Sequence, residues 1–133
     1  MPKNRGEIGV PRRGSSPGVV AVAATLNAEW TGSMTRVHAI PGYYRSDPEG
    51  DAQEMMKFGI RREEIDNHAD VRDTSQMMAV DPTMVRTNRL ERGDGKNGVQ
   101  GDPRRATAEI GRVLNARTVD RTVGLIRQSI ASR

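Results

Sequence analysis

From Ser16-Pro17 onward, Val19, Val22, Ala23, Leu26 and Trp30 recur at three- and four-residue spacing, which predicts a helix opened by a capping hydroxyl and a proline and ended by Gly32. The stretch 35–40 carries Val37, Ala39 and Ile40 and stops at Pro41-Gly42, the pattern of a short strand. Helix followed by strand predicts α/β layering. Asp47-Pro48 opens a second helix with Ala52, Met55 and Met56 on its apolar face and Gly59 as its stop, and Arg61-Arg62-Glu63-Glu64 reads as one more turn with a solvated charged face. Asp73 is placed as the N-cap of a third helix, with Gln76 as its capping-box partner and Met77, Met78 and Val80 as the buried side. Asp81-Pro82 begins a further turn, and Gly93 to Gly101 is a glycine-rich stretch expected to be a flexible loop. Asp102-Pro103 repeats the capped start and leads into a long helix. Ala106, Ile110, Val113, Val123, Ile126 and Ile130 mark its apolar side, and Gly111 and Gly124 are weak points. Residues 1–16 show no hydrophobic period and are expected to form an irregular arm.

Composition narrows this picture. A chain of 133 residues has the size of one domain. With 35% hydrophobic and 3% aromatic residues, its core is built from Val, Ile, Leu, Ala and Met, with Trp30 and Phe58 as the large apolar rings. The absence of Cys excludes disulfides and thiolate metal sites. No run of eighteen apolar residues occurs, so a membrane partner is not expected and the expected setting is a soluble, cytoplasmic one. The net charge of +4 is carried largely by arginine pairs such as Arg12-Arg13, Arg61-Arg62 and Arg104-Arg105. They are scattered and not interleaved with aromatics, which argues against a nucleic-acid partner.

Candidate chemistry concentrates in Asn67-His68-Ala69-Asp70-Val71-Arg72-Asp73-Thr74-Ser75, where a histidine, carboxylates and hydroxyls fall together. His68 would lie on the loop entering a capped helix, a place from which an imidazole that titrates near neutral pH can serve a substrate. The competing reading is that Asp73 only caps the helix and His68 only bonds to backbone. Tyr43 and Tyr44 follow the expected strand at the end where open α/β sheets bind ligands, although they would equally well cover a sheet edge. His38 fits a satisfied sheet histidine. The glycine-rich stretch does not match the phosphate-cradling loop pattern.

Three features taken together resemble the creatininase (creatinine amidohydrolase) family. They are His68-Ala69-x-x-x-Asp73-Thr74-Ser75-x-Met77-Met78-Ala79-Val80, Pro82-x-x-Val85, and Gly98-Val99-x-Gly101-Asp102-Pro103-x-x-Ala106-Thr107-Ala108-Glu109. The resemblance implies an α/β layered fold with a parallel sheet flanked by helices. It also implies a two-metal site, of zinc or manganese, at which a metal-activated hydroxide attacks an amide carbonyl. His68 would protonate the departing nitrogen, Asp73 would be a supporting acid, and Tyr43, Tyr44 and Asp70 are candidate substrate contacts. No residue is assigned as a metal ligand. The family's Glu-x-His pair and Asn-Gly-His segment are not found in this chain, and Asp70 stands where the family places a glycine. Residues 17–133 therefore correspond to a C-terminal half-domain. Two readings follow: a truncated metal-dependent amidohydrolase acting on the C–N bond of a small linear or cyclic amide; or a non-catalytic interaction module of the same fold that self-associates as a homo-oligomer or pairs with a complementary half.

Overall fold

Aspartates start the helical elements of this chain by taking up backbone N–H groups that have no partner inside the helix. Asp47 accepts from Gly50 N (3.1 Å), Asp70 from Arg72 N and Asp73 N (2.9 and 3.1 Å), Asp81 from Thr83 N (2.9 Å) and Asp102 from Arg104 N (3.1 Å). Proline follows three of the four, at the position where its missing N–H costs nothing. The computed structural model describes residues 16–44, 47–66, 68–96 and 98–131. The arm expected over residues 1–16 lies outside them, apart from the helical backbone of Ser16.

The α-helices are α1 (Ser16–Glu29), α2 (Pro48–Lys57), α3 (Val71–Val80) and α4 (Ala108–Ala131). All four fall where the apolar spacing puts them. α4 begins five residues later than the Asp102-Pro103 cap suggests, because that cap opens a 3-10 turn, Pro103–Arg105. Ala106 is then extended, and Thr107 Oγ1 accepts from Ile110 N (3.2 Å) to start the helix proper.

The expected parallel sheet is not formed among the described residues, where the sheet is a two-stranded antiparallel ribbon, β1 (Gly93–Asp94) and β2 (Gln100–Gly101). The stretch 35–40 forms no strand and pairs with none among the described residues. Instead the Asn27 side-chain amide takes both backbone groups of Val37, donating to its carbonyl and accepting from its N–H, each at 2.9 Å. A side chain thus imitates one rung of a ladder. The glycine-rich stretch expected to be a loop forms the ribbon, closed by Gly95 N donating to Val99 O at 2.8 Å.

The core lies where α2, α3 and α4 meet, and consists of Met55, Ile60, Val71, Ile110 and Leu114 with Phe58, Ile65 and Ala106 packed around it. On α3 the buried positions are Val71, Ser75 and Met78, whereas Met77 and Val80 are exposed. The N-cap is Asp70 and not Asp73, and the buried face is the one on which α4 lies, at Ser75. Met56 and Trp30 are also exposed, and Leu114, absent from the expected apolar side of α4, is buried. Gly111 is no weak point. It lets α4 lie directly on α3, since a Cβ there would come within 1.8 Å of the Ser75 carbonyl oxygen. The Ser75 hydroxyl, fully buried, accepts from Thr107 N (3.1 Å) at the same crossing.

Ion pairs fasten the periphery. Arg117 of α4 reaches Asp47 (2.9 Å), Asp51 (3.3 Å) and Glu54 (3.6 Å), tying α4 to α2. Glu64, expected on a solvated face, is buried. Its carboxylate accepts from Arg61 N (2.7 Å) and from Arg105 Nη1 (3.2 Å). No helix among the described residues is long and apolar enough to cross a membrane.

Candidate functional site

The chain turns at His68-Ala69-Asp70, and Ala69 is the one non-glycine residue among those described with a positive φ, 51°. An L-residue in the left-handed region costs about 1–2 kcal/mol, so the conformation persists only where neighbours determine it. Here they do. Ala69 N donates to Asp73 Oδ2 (3.0 Å), the Thr74 hydroxyl donates to Ala69 O (3.4 Å), and His68 O accepts from Gln100 N of β2 (2.8 Å). Gly101 completes the seat, because a Cβ there would come within 2.9 Å of Asp70 Cβ and 3.0 Å of Asp66 Cβ.

Asp70 is fully buried. Its Oδ1 accepts from Arg72 N and Asp73 N, and its Oδ2 accepts from Asp66 N (2.9 Å). The carboxylate is therefore occupied as the cap of α3 and holds the turn from inside. Asp73, one turn on, is partly exposed. Its Oδ2 holds Ala69 N and its Oδ1 faces Arg72 Nε at 3.3 Å.

Beside this turn lies an open groove in two lobes. One, of about 370 Å³, is lined by Asp73 and Thr74 of α3, by Met77, Met84 and Val85, and by Arg86 and Arg89. The other, of about 470 Å³, shares Ala69, Thr74, Arg89 and Leu90 with the first and continues to Glu91, Val99 and Pro103. Volumes of this size suit small molecules. The 3-10 turn Thr87–Arg89 has three residues per turn, which brings Arg86, its N-cap, and Arg89 to the same side. This arginine pair was missed in the sequence, where only the Arg-x-x-Arg spacing after Pro82–Val85 signals it.

The expected site residues separate in space. His68 is exposed at the turn, beside Ala69, and its ring is not among the groove's lining residues. Asp73 lines the groove and Asp70 supports it from beneath. Tyr43 lies on the 3-10 turn Pro41–Tyr44, which packs against α1 and α4 and not against the groove. The Tyr44 side chain lies outside the described residues. His38 is not in a sheet; its Nδ1 pairs with Ser129 Oγ of α4 at 2.8 Å.

Behind the groove, the Arg104 guanidinium holds Asp102 through Nε at 2.8 Å and a second bond at 2.6 Å, and these bonds lower the carboxyl to a pKa of about 2. The Arg61 backbone N–H likewise holds Glu64 below the usual carboxylate range. These acids are committed to local donors. Among the described residues no group of three or more His, Asp or Glu side chains is placed to hold a metal ion, and the acids nearest the turn, Asp70 and Asp73, are occupied by backbone N–H groups. The described donor set therefore does not fit the two-metal centre that the resemblance implies.

No curated protein and no solved structure matches this chain. A family model does match, that of creatininase, described as creatinine amidohydrolase, over residues 14–126. That span includes α1, α2, α3, the β-ribbon and most of α4, together with the whole of the His68–Asp70 turn and its groove. The chain belongs to the creatininase family.

Proposed function

We propose that this chain supplies the proton-donor and substrate-binding half of a creatininase-type hydrolase that cleaves the C–N bond of a small linear or cyclic amide. Family membership supports a metal-dependent amidohydrolase kind of function. The observation that carries the reading to particular residues is the strained Ala69 turn, which exposes His68 next to a groove of small-molecule size. An amide nitrogen leaves poorly unless protonated, and an imidazolium at His68 would deliver that proton. Asp73 acts as a positioning residue: by holding Ala69 N it fixes the backbone that carries His68. Thr74 and the groove wall bind and orient the amide.

The metal ligands, in this reading, come from outside the described residues, on a complementary half that carries the family's Glu-x-His and Asn-Gly-His segments. The stretch 35–40, which pairs with no strand among the described residues, would join the parallel sheet of that combined domain. The test is amide hydrolysis by the chain together with such a half, in zinc or manganese. Turnover that falls by about a hundredfold or more in His68→Ala, in line with the usual worth of a general acid, supports the assignment. Turnover indifferent to His68→Ala removes it.

A second reading, a non-catalytic interaction module, is favoured by the apolar surface that the fold leaves uncovered. Val19, Val20 and Val22 of α1 and Val119, Val123, Ile126 and Ile130 of α4 are exposed, more than is usual for isolated surface residues. Such faces would mediate self-association or pairing with the complementary half. Failure of every amide to turn over, combined with concentration-dependent association, favours this reading over the first.

A further inference from the structure

The Arg86–Arg89 pair has no part in the fold that the structure reveals. Several other arginines are matched by acids: Arg72 with Asp73, Arg104 with Asp102, Arg105 with Glu64, and Arg117 with Asp47, Asp51 and Glu54. Arg86 and Arg89 make no side-chain hydrogen bond or ion pair among the described residues, yet both line the first lobe of the groove, and Arg89 lines the second as well. The acid in that first lobe, Asp73, is already engaged by Arg72 and by Ala69 N, so it does not neutralise the pair. Glu91 lines the second lobe and not the first, and makes no ion pair with either arginine among the described residues. The first lobe is thus a cationic end set beside an apolar wall of Met77, Met84 and Val85.

We infer that the substrate of this site is a small amide carrying a carboxylate, an N-acyl amino acid or a cyclic counterpart, with the carboxylate held by Arg86 and Arg89 and the amide directed toward the Ala69 turn. This deepens the hydrolase reading and rests on the groove being its substrate site. Planar guanidinium forks match carboxylates and phosphates alike. The neighbouring backbone favours the carboxylate. A phosphate is often held by free N–H groups at a helix N-terminus, and at α3 Arg72 N and Asp73 N are already taken by the Asp70 carboxylate. The apolar wall suits an acyl or aliphatic side chain better than a sugar or a second phosphate.

The experiment is a binding titration of the full chain, followed by NMR shifts or calorimetry, with N-acetyl-leucine, with its neutral amide N-acetylleucinamide, and with inorganic phosphate. The acid is expected to bind at least about tenfold more tightly than the neutral amide, because its bonds to the guanidinium groups are charge-assisted. The double variant Arg86→Gln/Arg89→Gln should abolish that difference while leaving the neutral probe and the thermal melt unchanged, since both arginines are exposed. Equal affinity for acid and amide, an acid preference that survives the double variant, or no binding of either probe would overturn the inference. Phosphate binding more tightly than the acid, and lost in the same variant, would overturn the carboxylate assignment. Because binding is read without turnover, a failure here leaves hydrolysis of neutral amides standing. Binding without turnover in the complemented enzyme would instead reject the hydrolase reading alone.

Discussion

Two buried aspartates do most of the positioning around the groove, and neither needs to touch a substrate to matter. Asp70 satisfies three backbone N–H groups from a fully buried position, so Asp70→Ala leaves them without acceptors and should cost about 2–3 kcal/mol in urea unfolding, more than the loss of an exposed cap. Asp70→Asn, which keeps one acceptor oxygen, should recover part of it. Asp102 gives a pH signature. Its folded pKa of about 2 lies below the unfolded carboxyl value, so its contribution is fully present above roughly pH 4 and is lost as the pH falls through 2. With the partner Arg104 largely exposed, that contribution is about 1–2 kcal/mol. The melting temperature of the native chain should therefore fall more steeply between pH 4 and pH 2 than that of Asp102→Asn, and parallel slopes would show that the pair is not what holds this end of α4. At this scale the sequence revealed the residue types but assigned the cap to the wrong aspartate. Asp70 and Asp73 are equally good caps by local chemistry, and only the packing of the β-ribbon against Asp66 and Asp70 chooses between them.

At the scale of elements, the four helices were readable from helical apolar spacing, and α1, α2 and α3 also from a Pro or Asp start. The buried face of α3 was not, since it is set by the crossing of α4, whose Gly111 lies against Ser75 and Ala79, positions that apolar spacing does not mark. The strand was misread because the apolar pattern over 35–40 is the same whether its backbone pairs with a neighbouring strand or, as at Val37, with the amide of Asn27. The two glycines of α4 provide a direct check on the packing. Gly111→Ala forces a methyl into the Ser75 carbonyl and should destabilise the protein by about 2–3 kcal/mol, the range for overpacking a tight crossing. Gly124→Ala meets nothing within 4 Å and should stabilise it by up to about 1 kcal/mol through helix propensity. Equal effects from the same substitution at both positions would contradict the α3–α4 crossing.

The molecule as a whole buries a small core at one junction and leaves much of α1 and the outer half of α4 facing outward. The family match was legible from the two blocks around His68 and Asp102, because the same residues that carry the motif also make the turn, the ribbon and the capped crossing. The groove's arginines were not legible, since an Arg-x-x-Arg spacing points to one cavity only once the 3-10 turn is known. The uncovered apolar faces lead to an expectation of their own: Val119→Glu with Val123→Glu should reduce any association seen by sedimentation velocity without lowering the melting temperature, as both side chains are exposed. The most direct test of the division of labour proposed for this site is metal stoichiometry. After equilibration of the purified chain with zinc or manganese and removal of free ion, the expected result is close to zero tightly bound ions per chain, with the metal retained once the complementary half is added. Two tightly bound ions on the chain alone would contradict it.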